Sequence, residues 1–346
     1  MRKALTVLCG LTLAASLLTG CGASSEKTEQ GMSLIRNLDY AGAMAAFDEA
    51  ELSGENPRLI ARGRGIALMG QTDYAGAVEA FQQALQLSDG FVQNVDFDLN
   101  YYMAAAYTKL GQFSEAEAAY DAILALDEQE DALFLRGLVR LYRDNYTGAR
   151  EDFDRVVSLD PDNYNRIIDI YRGLAQEDYR EAGLEYLQAV LDRAESKMSS
   201  LDRGRIYYYM GEYQAAAAEL EVSRREAGDA ESSLYLGLAY EAVSEYNYAS
   251  NVYESYLAID DRNAAIYNQL GLCRLETGNY ESALENFEAG MALGDATVMQ
   301  SLSFNEIVAY EYLGEYQKAE VLMRSYLKNY PDDEAALREQ IFLATR

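Results

Sequence analysis

Apolar and polar positions along this chain follow a helical spacing, with a longer period laid over it. An aromatic residue, a small residue three later and a large apolar residue seven later recur as Tyr40/Ala43/Phe47, Tyr74/Ala77/Phe81, Phe113/Ala116/Tyr120, Tyr146/Ala149/Phe153 and Tyr179/Ala182/Tyr186. The series continues as Tyr213/Ala216/Leu220, Tyr246/Ala249/Tyr253, Tyr280/Ala283/Phe287 and Tyr316/Ala319/Met323. Offsets of three and seven put each triplet on one face of a helix. Successive aromatics stand 34, 39, 33, 33, 34, 33, 34 and 36 residues apart, room for two helices and two short turns. A second apolar helix precedes each triplet, as in Leu133 to Tyr142. The turn between the two reads Gly111-Gln112, Asp144-Asn145, Gly211-Glu212, Gly278-Asn279 or Gly314-Glu315. In six units a glycine stands nine residues before the aromatic: Gly31, Gly65, Gly137, Gly204, Gly237 and Gly271. A residue without a side chain there lets the first helix approach the alanine of the second. Ala104, Ile170 and Ile307 hold that position in the third, fifth and ninth units, and the two isoleucines predict looser crossings. The longest spacing predicts an extra loop around Asp89-Gly90-Phe91. Pro57, Pro161 and Pro331 fall at or near repeat ends. The terminal EAALREQIFLATR, apolar at Ala336, Leu337, Ile341 and Phe342, predicts a last helix that covers the final repeat.

The pattern closely resembles the tetratricopeptide repeat, a helix-turn-helix unit of about 34 residues. The resemblance implies an all-α fold: a right-handed α-solenoid of about nine units over residues 31–334, with a capping helix over 335–346. No domain boundary is expected, and the fifth unit, near 163–196, is the best candidate for a hinge. In this family the first helices line a concave groove. By repeat register that groove would hold Tyr101, Phe134, Leu138, Tyr142, Tyr164, Ile167, Tyr171, Tyr208, Tyr209, Phe304 and Tyr312. Tyrosine offers a large contact area and a polar tip, so the resemblance implies a groove for a segment of another protein. A subset of the family grips chaperone tails with paired Lys and Asn. The matching positions here are Thr28/Met32, Arg62/Ile66 and Tyr101/Ala105, which do not support that use.

The first residues read differently. Arg2 and Lys3 precede an apolar run from Ala4 to Leu18, shorter than the ~20 residues of a spanning helix and of signal-peptide length. Leu18-Thr19-Gly20-Cys21 resembles the lipobox of bacterial lipoproteins. That resemblance implies a signal peptide over 1–20 and a lipid on Cys21. Residues 21–30 would form a polar tether, and the protein would sit on the extracytoplasmic face of a bacterial membrane.

Composition narrows the chemistry. The chain has 346 residues, 29 Lys+Arg against 57 Asp+Glu, a net charge of −28 and no histidine. Lack of histidine excludes a Ser-His-Asp triad, a Cys-His pair and an HExxH zinc site. Strong acidity disfavours nucleic acid. Loss of Arg2 and Lys3 with a signal peptide would leave 27 basic residues and a charge of −30. Such a surface keeps a solenoid soluble and favours cationic partners. Cys9 would leave with that peptide, Cys21 would carry lipid, and Cys273 would remain as a small buried hydrophobe. No P-loop, GxGxxG, CxxC or EF-hand spacing occurs. Arg64, Arg136 and Arg203, with Arg62, Arg140, Arg143, Arg166, Arg172 and Arg205, would give the groove basic spots. The reading is therefore a lipid-anchored scaffold or adaptor for an envelope-associated complex, not an enzyme, with no cofactor and no metal. The alternative is a lipoprotein that binds a solute or glycan on its tyrosines. A carboxylate-pair glycosidase is the remote third.

Overall fold

The structure, a computed structural model, describes residues 25–345. Cys21 and the expected signal peptide lie outside the described residues. All regular structure within them is helical, and within each compact unit neighbouring helices pair in sequence order, which gives the expected all-α hairpins. The chain divides into two compact units between Leu159 and Asp160. The division falls at Asp160-Pro161-Asp162, where Pro161 has no N–H to continue a helix.

The first unit has four hairpins: α1 (Glu26–Arg36) with α2 (Tyr40–Leu52), α3 (Pro57–Gly70) with α4 (Tyr74–Gln86), α5 (Asn94–Lys109) with α6 (Phe113–Leu124), and α7 (Glu130–Tyr142) with α8 (Tyr146–Leu159). The second unit has five: α9 (Tyr164–Gln176) with α10 (Arg180–Ala194), α11 (Ser200–Met210) with α12 (Tyr213–Ala227), α13 (Ala230–Ala242) with α14 (Tyr246–Leu257), α15 (Ala264–Glu276) with α16 (Tyr280–Ala292), and α17 (Met299–Tyr312) with α18 (Tyr316–Asn329). A final helix, α19 (Glu334–Leu343), follows.

Every hairpin turns in the same way. A residue of positive φ stands two before each second helix: Leu38, Thr72, Gly111, Asp144, Asp178, Gly211, Ser244, Gly278 and Gly314. The next residue returns its N–H to a carbonyl five back, as in Asp39 to Leu34 (2.9 Å) and Gln112 to Tyr107 (2.8 Å). That bond satisfies a carbonyl the helix end leaves open. The expected partner of the repeat glycines is corrected here. A Cβ on Gly31 or Gly137 would lie 2.5 Å from the ring of Phe47 or Phe153. The glycine therefore clears space for the large residue of the second helix, sixteen positions on.

The fifth hairpin corrects the sequence register by one residue. Its positive-φ residue is Asp178 and α10 begins at Arg180, with Tyr179 only its N-cap. Gly183 and Leu187 are buried, in place of the expected Ala182 and Tyr186. In this frame Tyr171 holds the position of the repeat glycine. A Cβ on Gly183 would meet the Tyr171 backbone at 3.2 Å. Large and small residues have exchanged helices, which conserves the volume between them.

At the start of the first unit, α1 reaches back into the expected tether. The Glu55 carboxylate accepts from the Thr28 hydroxyl (2.7 Å) and from the Lys27 and Thr28 N–H groups (2.9 Å each). It therefore satisfies the open donors of a helix N-terminus and fixes residues 26–30 as helix. At the other end, Asp333 caps α19 through the Ala335 and Ala336 N–H groups. Ala336 and Leu343 close over Ile307, Tyr310, Met323 and Tyr326.

Candidate interaction surface

In the second unit, helices α9, α11 and α13 are the first helices of consecutive hairpins, and their tyrosines meet. Tyr208 and Tyr209 are sequence neighbours, so they leave α11 in directions about 100° apart. Tyr209 lies 5.8 Å from Tyr171 of α9 and 6.0 Å from Tyr235 of α13, centroid to centroid. Tyr208 lies 5.6 Å from Tyr235 and 5.8 Å from Tyr213 at the start of α12. Interplanar angles from 57° to 78° tilt the rings towards edge-to-face contact, the arrangement the aromatic quadrupole prefers. The Tyr209 and Tyr235 hydroxyls are 3.0 Å apart.

Arg205, one helical turn before Tyr209, ties the cluster together. Its guanidinium lies over the Tyr235 ring at 5.4 Å, donates to Asn165 Oδ1 at 2.7 Å and pairs with Glu231 at 3.2 Å. Burial raises the hydroxyl pKa of Tyr208 and Tyr209 above the ordinary tyrosine value, so both stay neutral and able to donate. The face thus combines ring edges, hydroxyls and one fixed guanidinium. It can stack and hydrogen-bond a ligand.

The other expected groove residues do not join this cluster. Phe134 and Ile167 are core side chains, 6% and 2% exposed, and Phe134 packs on Phe153. Tyr171, which touches the cluster through Tyr209, is itself buried, because the register shift turns it into its own hairpin. These three expectations are corrected: each side chain fills space between helices. Tyr101 is half-buried, and its hydroxyl donates to Gln129 (2.8 Å). Leu138 is half-buried; Tyr142, also half-buried, packs on Phe113. Tyr164 is half-buried at the start of α9, and Phe304 packs on Tyr326. Tyr312 is exposed and stacks on Tyr280 at 5.0 Å. Sequence reasoning missed Tyr235, Tyr213, Asn165 and the role of Arg205. Tyr235 stands two residues before Gly237, and Tyr102 holds the same offset from Ala104; that shared offset was the available signal.

Most of the expected basic spots are internally paired. Arg62 donates to Asp98 (2.6 Å) and lies over Tyr102, while Arg58 pairs with Asp96. Arg64 binds Asp48 and Glu51, and Arg136 binds Asp121 and Asp152. Arg140 and Arg143 share Glu117, and Arg203 pairs with Glu219. Cys273 is buried; burial first, then the neighbouring Glu241, pushes its thiol well above the ordinary range. Among the described residues, no group of three or more His, Cys, Asp or Glu could hold a metal ion, and no helix is long and apolar enough to cross a membrane.

Tetratricopeptide-repeat family models match residues 28–90 and 201–246, residues 68–138, residues 131–163 and 304–333, and residues 264–293. Sperm-associated antigen 1 of Homo sapiens is 24% identical over 256 residues, covering 60% of this chain and 27% of that protein. The peroxisomal targeting signal receptor of Kluyveromyces lactis is 22% identical over 213 residues, covering 60% of this chain and 37% of that receptor. The chain therefore spans only a minor part of either relative's length. Among solved structures, a tetratricopeptide repeat protein from Parabacteroides merdae has a TM-score of 0.47 at 18% identity, covering 80% of this chain and 96% of its own. YrrB, described as a tetratricopeptide repeat protein with an unusual peptide-binding site, has a TM-score of 0.39 at 22% identity, covering 48% and 84%. Nine hairpins with one turn geometry, matched by these repeat models on both sides of the fifth hairpin, place the chain in the tetratricopeptide-repeat family.

Proposed function

We propose that the protein is a non-catalytic interaction scaffold that holds a segment of another protein on the tyrosine face of its second unit. The observation that carries this reading is the contact chain Tyr209–Tyr235–Tyr208, backed by the buried Tyr171, with Arg205 locked across it. Rigid aromatics give contact area at low entropy cost, and an Arg fixed in advance loses little freedom on binding. A curated relative named as a targeting signal receptor supports binding as the mode. The lipobox-like Leu18-Thr19-Gly20-Cys21 supports anchorage through a lipid on Cys21 to the outer face of a bacterial membrane. There the scaffold would serve an envelope-associated complex.

A photo-reactive amino acid in place of Tyr235, compared with one in place of the exposed Leu52, tests the surface in cells. One dominant protein adduct, formed only from the Tyr235 site, is expected. Equal labelling from both sites, or no protein adduct, would overturn the reading. Cys21→Ala should release the protein from membranes or block its processing. A membrane-bound form of unchanged mature size would refute the anchor.

A further inference from the structure

The last helix, α19, keeps the register of the hairpins before it. Ala336 stands 34 residues after Leu302 and Leu343 stands 34 after Ala309, and all four are buried. In the same register Ile341 stands 34 after Ile307, at the position of the repeat glycine. The residue at that position is buried in each of the nine hairpins. The second helix of the hairpin covers it: Met323 of α18, itself wholly buried, packs in one core with Ile307. In α19 the position is open, and Ile341 is 71% exposed. Leu337, one turn earlier, is 41% exposed. Ala344, which stands 34 after the buried Tyr310, is exposed as well. Offsets of zero, four and seven put these three on one stripe of a helix. By register α19 is therefore the first helix of a tenth hairpin. Its inner face docks on the ninth, and no second helix among the described residues covers its outer stripe.

The repeat itself says what shape fits such a stripe. In α18 the helix that covers an isoleucine at this position presents Tyr316, Ala319 and Met323, at offsets of zero, three and seven. Charge narrows the choice. Residues 332–343 carry Asp332, Asp333, Glu334 and Glu339 against Arg338. The helix that packs beside them, α18, carries Lys318, Arg324 and Lys328, all exposed, against Glu320. An acidic flank favours a cationic neighbour.

We infer that the outer stripe of α19 docks one amphipathic helix of a partner polypeptide, with an aromatic–alanine–large apolar stripe and cationic flanks. That helix completes the tenth hairpin from another chain. The site lies on different helices from the rings of Tyr209 and Tyr235 and does not depend on them.

The test is a fluorescence-anisotropy titration of a fluorescein-labelled peptide with the sequence of residues 316–329 on the full chain. A staple between positions 317 and 321, both exposed in α18, holds the peptide helical, since a free helix of this length is marginal in water. Saturable binding is expected, and a Met323→Asp version of the peptide should not bind. Ile341→Asp in the chain should weaken binding about tenfold or more, while Ile341→Val should stay within about twofold. Ile259→Asp, at an 81% exposed position after α14, adds the same charge elsewhere and should also stay within about twofold. Circular dichroism checks that each variant is folded. No saturable binding, equal binding of the Met323→Asp peptide, or equal affinities of the Ile341→Asp and Ile259→Asp chains would overturn the site. Sedimentation of the unmodified chain as a dimer that Ile341→Asp dissociates would assign the stripe to a second copy and overturn the partner helix. Tyr235→Ala should leave the titration unchanged, which separates failure of this site from failure of the tyrosine face; a loss equal to that of Ile341→Asp would place the peptide on the tyrosines and overturn the site.

Discussion

Single residues fix each hairpin in two ways, and both can be tested. Five of the nine turn positions hold a residue with a side chain in a left-handed conformation, among them Leu38 (φ 60°) and Thr72 (φ 62°). A β-branched residue is strained there. Gly111 and Gly278 occupy the same position without strain. Thr72→Gly should therefore stabilise the protein by about 0.5–1 kcal/mol, relief of strain partly offset by the entropy of glycine. Urea unfolding followed by circular dichroism measures this, and a lower midpoint would contradict it. The repeat glycines act in the opposite sense. A Cβ on Gly137 has the Phe153 ring 2.5 Å away, and Phe153 is wholly buried. Gly137→Val should destabilise by about 1–3 kcal/mol through overpacking. Gly137→Val with Phe153→Leu, which vacates part of that space, should recover a measurable share in the same assay.

At the scale of elements, the first and last helices are held by carboxyls whose protonation works in opposite directions. Glu55 is penalised by burial, but bonds from the Thr28 hydroxyl and the Lys27 and Thr28 N–H groups hold its carboxyl below the ordinary 4.5. A lowered pKa gives stability that is present above 4.5 and lost as pH falls through the folded value. Acid should therefore loosen α1, and Glu55→Gln should remove that acid sensitivity. At the other end, burial first and then the Glu339 carboxyl beside it push Glu311 up to about 7. The folded state keeps a proton there that the unfolded chain has already released. Attachment of α19 should therefore weaken as pH rises from 4.5 to about 7. Hydrogen exchange of α19 amides at pH 5 and pH 8 measures this. Faster opening at pH 8, abolished by Glu339→Gln, is the expected outcome; exchange-corrected rates equal at the two pH values would contradict it.

At the scale of the whole molecule, 28 excess negative charges sit on surfaces whose arginines are largely paired internally. Such a surface repels anionic lipid and nucleic acid and draws cationic segments, more so at low salt. The two compact units meet in sequence at Asp160, just before the expected hinge region of the fifth repeat. Contacts in a repeat array are local, so each unit can hold its own core of stacked hairpins. The tyrosine face belongs to the second unit. The first unit commits its corresponding helices to Arg58–Asp96 and Arg62–Asp98 pairs.

The amino-acid pattern alone determined the repeat, the helical class and the start of eight of the nine second helices among the described residues, because periodicity and turn residues are local properties of the chain. Tyr40, Tyr74, Phe113 and their successors other than Tyr179 begin second helices as their spacing predicts. Only the tertiary structure decided which tyrosines meet. Tyr171 reads as a groove residue until Asp178 sets the turn and Gly183 makes room for it; then it is core. Thr28 reads as tether until Glu55, 27 residues away, accepts its hydroxyl. Tyr235 drew no notice until Tyr209 and Arg205 from another hairpin reached it. Burial and proximity depend on where distant segments pack, and a one-residue shift in a helix turns a side chain from one face to another.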